Sequence, residues 1–176
     1  KAGESLSHSG RVVPQEAEEE VFPRSGSGGS RKPRRPDKED GIRRSQRLLL
    51  TWLIETPALF EKIEGVITAD DFVEDLYHQV AQLVFDGHRE GNLNPAAILS
   101  RFINDEDQYK EVAALFNASL KESLNNEEQK KAFSETVMKV RKNSLDVASR
   151  NAKDITQLQE IIRQQAALKQ LHISLD

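Results

Sequence analysis

Residues 126–176 read NEEQKKAFSETVMKVRKNSLDVASRNAKDITQLQEIIRQQAALKQLHISLD, and this stretch decides the fold. It closes a run, residues 96–176, that holds neither glycine nor proline. Nothing in that run supplies a positive-φ hinge or a fixed kink, so it reads as helices joined by short polar caps. Phe133, Val137, Val140, Ser144 and Val147 keep one stripe along a helix reaching about Arg150. Asn125 with Glu128, and Asp154 with Gln157, repeat a capping-box pattern. Asn151 to Lys153 is then a tight turn into a last helix that ends near Ser174, and the two helices form an antiparallel hairpin.

The hairpin's apolar positions fall into two sets. At 100° per residue Ile155, Leu158, Ile162 and Ala166 share one side, which suits a seam against the preceding helix. Leu168 and Leu171 lie on another side, with Ile161 between, and the first hairpin helix has a second set in Met138 and Leu145. A two-helix hairpin hides one stripe per helix, so Ile161, Leu168, Leu171, Met138 and Leu145 are the candidate contacts for another molecule.

Upstream, the same reading gives a bundle. Ile42 to Glu55 carries Leu48, Leu49, Leu50, Trp52, Leu53 and Ile54 around most of the cylinder and is expected to be central. Thr56-Pro57 opens a short helix closing at Gly65. Thr68 to Asp71 is read as the N-terminus of an amphipathic helix bearing Val73, Leu76, Tyr77, Val80, Leu83 and Val84, with Gly91 as its stop. Asn94-Pro95 starts a fourth helix with Ile98, Leu99, Phe102 and Ile103 inward, and a fifth runs from Glu106 to Ala118 through Tyr109, Val112, Leu115 and Phe116. The predicted fold is all-α: a disordered linker over residues 1–40, a helical bundle over 41–130, and a long helix with a C-terminal hairpin over 131–176.

The linker reading rests on composition. Ser25-Gly26-Ser27-Gly28-Gly29-Ser30 is followed by Pro33 and Pro36 among basic residues, and Glu16, Glu18, Glu19 and Glu20 make an acidic block before them. Because the chain opens on Lys1 and this tail-like composition, it is expected to be the C-terminal piece of a longer protein. The 176-residue chain has a net charge of −4 and no cysteine, which excludes a disulfide scaffold and thiolate zinc sites and fits a cytoplasmic setting. No apolar stretch approaches the roughly 18–20 residues that span a bilayer.

Residues that could do chemistry are scattered. His8, His78, His88 and His172 have no metal-site spacing, no hydroxyl sits in a nucleophile-elbow pattern, and no glycine loop precedes a lysine-tipped helix. Enzyme activity and cofactors are not expected in this piece. Arg43, Arg44 and Arg47 cluster beside Leu50, a grouping suited to a carboxylate carried with an apolar side chain.

These elements occur in an order that resembles a known family. The carrying residues are Arg44-Ser45-Gln46-Arg47-Leu48-Leu49-Leu50, Thr56-Pro57-Ala58-Leu59-Phe60, Asp71-Phe72 with Leu76-Tyr77, Ala96-Ala97-Ile98-Leu99-Ser100-Arg101, and the terminal hairpin. Over residues 41–176 the chain resembles the C-terminal, helicase-binding domain of the bacterial replicative DNA primase. The resemblance implies a non-catalytic module that recruits primer synthesis to the hexameric replicative helicase at the replication fork and modulates that helicase, docking through the hairpin. It places the zinc- and magnesium-dependent domains upstream of this chain. In some members it also implies a contact with the acidic C-terminal tail of the single-stranded DNA-binding protein, at positions matching Ser45, Gln46, Arg47 and Leu50; the cluster of Arg43, Arg44 and Arg47 beside Leu50 is expected to form that site. Alternatives are the N-terminal collar of the helicase itself, which the family resembles, and a nucleic-acid-binding helical module. The folded part beyond Arg47 is not basic, so weak or no direct nucleic-acid binding is expected.

Overall fold

Leucine at 49, 50 and 53 puts three fully buried side chains on one helix, and the rest of the chain is arranged around them. The computed structural model describes residues 38–118 and 126–175. Among these lie seven α-helices and no strand: α1 (Lys38–Glu55), α2 (Leu59–Ile63), α3 (Asp75–Arg89), α4 (Pro95–Ser100), α5 (Glu106–Asn117), α6 (Asn126–Asn151) and α7 (Ile155–Leu168). The fold is all-α, as the periodicity requires. The linker expected before α1, like the cap expected at Asn125, falls outside the described residues.

Helix α1 packs against α2, α3, α5 and α6. It begins at Lys38, a turn earlier than its apolar stripe, and Gly41 is an interior residue whose carbonyl accepts the Ser45 hydroxyl at 2.9 Å. Trp52 is 6 % exposed and meets Phe133 of α6 edge-on, with ring centroids 5.5 Å apart. Gly65 (φ 73°) and Gly91 (φ 67°) close α2 and α3 in the left-handed conformation expected of helix stops. Asn94 caps α4 by accepting the Ala97 amide at 3.2 Å, and Asp105 caps α5 by accepting that of Gln108 at 3.0 Å.

The structure corrects several sequence expectations. Thr68 and Asp71 do form a capping box, but it closes a 3-10 turn at Ala69–Asp71, and α3 starts only at Asp75. The chain opens between them because the Asp71 carboxylate is buried and used elsewhere. Helix α4 stops at Ser100, so Ile103 leaves the inward stripe and is 69 % exposed; Tyr109 on α5 is 39 % exposed. Helix α7 ends at Leu168, short of Ser174, with Gln170 and Leu171 amides bonding three residues back. Continued as a helix, Ile173 would point well away from the Leu168 side. Leaving the helix lets Ile173 join the core at 8 % exposure and brings Leu175 beside Trp52 and Phe133.

Helix α6 belongs to both parts of the fold. Its Phe133, Val137 and Val140 lie in the same core cluster as α1 and α3; its second half faces α7. No boundary at residue 130 therefore separates bundle from hairpin, and the described residues belong to one compact unit.

One ion pair fastens these parts. Asp71 is 2 % exposed; its Oδ2 accepts the Thr68 amide at 2.8 Å and its Oδ1 accepts Arg141 Nη1 at 2.6 Å. Arg141 Nη2 continues to Gln164 Oε1 of α7 at 2.9 Å. Removing Arg141 leaves a buried carboxylate without its counter-charge. Arg141→Met is expected to destabilise the protein by at least about 2 kcal/mol, read as the urea midpoint, and Asp71→Asn in the same chain should restore part of the loss. A midpoint unchanged in the single variant would show that the pair is dispensable.

Candidate partner-binding surface

Helix α7 meets α6 through polar side chains. Gln164 takes the Arg141 guanidinium, and Gln165 Nε2 donates to Asp146 Oδ1 at 3.2 Å. Ile161 is half-buried on the same side, and Leu168 is buried at 9 %. With Arg141 and Asp146 on its second half, α6 selects the glutamine-bearing side of α7, and the most apolar stripe is left outside.

That reverses the expected seam. Ile155 is 74 % exposed, Ile162 54 % and Leu158 36 %, and Ala166 is exposed on the same side. Of the five residues expected to meet another molecule, Leu168 and Leu145 are buried, Met138 and Ile161 are half-buried, and only Leu171, at 36 %, is open. The grouping of the two stripes was readable from spacing; the choice of inner side was not, because hydrophobicity ranks Ile above Gln.

The cap of α7 keeps the hairpin turn tight. Asp154 Oδ1 accepts the Gln157 amide at 2.8 Å, and Gln157 Oε1 accepts the amide of Lys153 at 3.1 Å, one residue before the usual partner of a capping box.

The four residues expected to take an acidic tail are not brought together. Leu50 is fully buried. Arg43 turns to α5, where Nη2 donates to Glu111 Oε1 and Oε2 at 2.8 and 2.6 Å, with its guanidinium 5.6 Å from the centre of the Tyr77 ring. Arg47, one turn on, adds positive charge near Glu111, whereas Arg44 lies on the other side of α1, facing α6. Adjacent residues on a helix differ by 100°, so three arginines within one turn serve two faces.

The Glu111 cluster is a structural clasp of α1, α3 and α5. The Tyr77 hydroxyl donates to Glu111 Oε1. Burial, then the bond to Glu111, push the Tyr77 phenol up to about 12. For Glu111 burial acts upward, but the hydrogen bonds from Arg43 and Tyr77 and the nearby arginine charges outweigh it and hold the carboxyl below its usual value. The bond to Glu111 chiefly raises the Arg43 guanidinium. A raised phenol pKa means stability present below pH 10 and lost as pH rises toward about 12. A depressed carboxyl means stability lost as pH falls through the carboxylate range. Urea midpoints followed against pH should show an alkaline decline that Tyr77→Phe lacks and an acid decline that Glu111→Gln reduces. Parallel profiles for wild type and both variants would remove the clasp's role.

A groove of about 1090 Å³ runs between α2, the 3-10 turn, α3 and the turn after α4, floored by Phe60, Ile63 and Ile67. His88 stacks on Phe60 there, 4.0 Å between ring centres. Its rim mixes both signs of charge, with Asp86 bonded to Arg89. No group of three or more His, Asp or Glu able to hold a metal ion occurs among the described residues, and no helix there is long and apolar enough to cross a membrane. No protein-family model, no curated protein and no solved structure matches the chain.

Proposed function

We propose that this chain is a protein-docking module that recruits a primer-synthesising enzyme to the hexameric replicative helicase. The observation that carries the docking role is the stripe of Ile155, Leu158, Ile162 and Ala166, held outward along one side of α7. Exposed aliphatic side chains at helical spacing are the anchors that a groove or a facing helix on a partner would bury. The identity of the partner is supported by the resemblance of residues 41–176 to primase helicase-binding domains, and by a hairpin at the C-terminal end of the bundle. The module itself carries no chemistry in this reading; it raises the effective concentration of an enzyme at the fork, so modest affinity suffices.

The acidic-tail contact is not carried by a comparable surface, since Arg43 is held by Glu111 and Leu50 is inside.

The test is co-elution with a bacterial replicative helicase hexamer. Ile155→Asp with Ile162→Asp should abolish capture while circular dichroism stays at the wild-type level, because neither side chain is packed. Single Ile→Ala changes should weaken binding by roughly 1–3 kcal/mol each. Undiminished capture by the double aspartate variant moves the contact off α7. Failure of the wild-type chain to bind the helicase removes the reading altogether.

A further inference from the structure

Between the first half of α1 and the middle of α6 lies a cavity of about 470 Å³ whose lining is predominantly basic. Gln46 at its floor is 1 % exposed. Its Oε1 accepts the Glu74 amide at 3.1 Å, which fixes the orientation of the side-chain amide and turns Nε2 the other way. That Nε2 and Asn143 Nδ2, at the same cavity, are the buried side-chain polar atoms of the described residues that meet no hydrogen-bond partner. Both are donors. Buried donors of this kind are normally satisfied; both atoms are covered from solvent, so an acceptor from outside the chain reaches them as the lining side chains give way.

The charges agree. Arg44, Lys139 and Lys142 line the cavity, and none of the three has a carboxylate partner among the described residues. The one acidic lining residue, Asp146, accepts a neutral Gln165 amide and keeps its charge, so the lining sets three basic side chains against one carboxylate. Ile42, Leu48 and Val140 supply aliphatic wall, and no aromatic ring lines the space, so there is no platform on which a nucleobase could stack.

We propose that this cavity binds a phosphoryl dianion, free or carried as a small ester. Three unpaired cations and two amide donors exceed what one carboxylate offers, which is a single charge and two oxygens. A phosphoryl group brings three terminal oxygens and a charge near −2 at neutral pH, and each oxygen can take a charge-assisted bond. The site lies on the opposite side of α1 from the Glu111 clasp and off the exposed stripe of α7, so it stands independently of helicase docking.

The probes are inorganic phosphate, pyrophosphate and ribose 5-phosphate, titrated calorimetrically into the full 176-residue chain. One saturable site is expected. Lys139→Ala with Lys142→Ala should weaken it about tenfold or more, with the unfolding midpoint in phosphate-free buffer unchanged, since both side chains are exposed. Asn143→Leu should shift two readouts in opposite directions: it removes an unsatisfied buried donor and so raises the midpoint without phosphate, yet lowers phosphate affinity. A purely structural asparagine would not give that opposition. Ribose 5-phosphate binding as tightly as phosphate assigns a small ester; binding of phosphate and pyrophosphate alone assigns the free ion. The proposal is overturned by no saturable binding of any probe, or by equal binding in the variants. It is equally overturned if an acidic peptide with a free terminal carboxylate binds the cavity and phosphate does not compete.

Discussion

Arg141 reaching the buried Asp71 carboxylate is the constraint on which the arrangement of this molecule turns. A carboxylate that is 2 % exposed needs a counter-charge in place. Supplying it from α6 fixes the rotation of that helix about its own axis. The same guanidinium then spends its second nitrogen on Gln164. A 3-10 turn, the long helix and the last helix are set by one side chain, and the break between Asp71 and Asp75 follows from it. Asp71 cannot serve as the first turn of α3 while it is held under α6.

From that rotation comes the choice of what α7 shows to solvent. With Arg141 and Asp146 on the α7 side of α6, the mating face is polar, and glutamines satisfy it where isoleucines would leave charges unpaired. The consequence is a departure from the ordinary amphipathic rule. The side of α7 turned toward the protein mixes Gln164 and Gln165 with Ile161 and Leu168, and the stripe of Ile155, Leu158 and Ile162 is left outside together with the charged Glu160 and Arg163. Specificity in a hydrogen-bonded seam is thereby exchanged for an exposed stripe of large side chains, a combination usual at surfaces that find a partner.

Much of this was legible in the sequence, and what was not has a physical cause. Helix number and some boundaries were readable because their signals are local: Asn94 and Asp154 as caps, Gly65 and Gly91 in the left-handed region, the leucines of α1 at core spacing; the early ends of α4 and α7, which carry no glycine or proline, were not. The split of the three arginines was implicit in helical geometry, but only the position of Glu111 on α5 decides which face holds Arg43. The inner side of α7 depended on Arg141 and its partner 70 residues away. The cavity between α1 and α6 gave no local signal, since Gln46 and Asn143 read as ordinary polar residues until they are seen underneath a cationic rim.

The return of the chain after α7 bears on how fast the protein can fold. A simple run of helical hairpins makes its contacts between neighbours in sequence and closes quickly. Here Trp52 of the first helix shares its surroundings with Phe133 and with Leu175 near the other end, and Ile173 is sealed into the same cluster. The core therefore spans nearly the whole length of the described chain. Its closure entropy must be met before those contacts form, which places this all-helical molecule among slower folders than its secondary structure alone suggests.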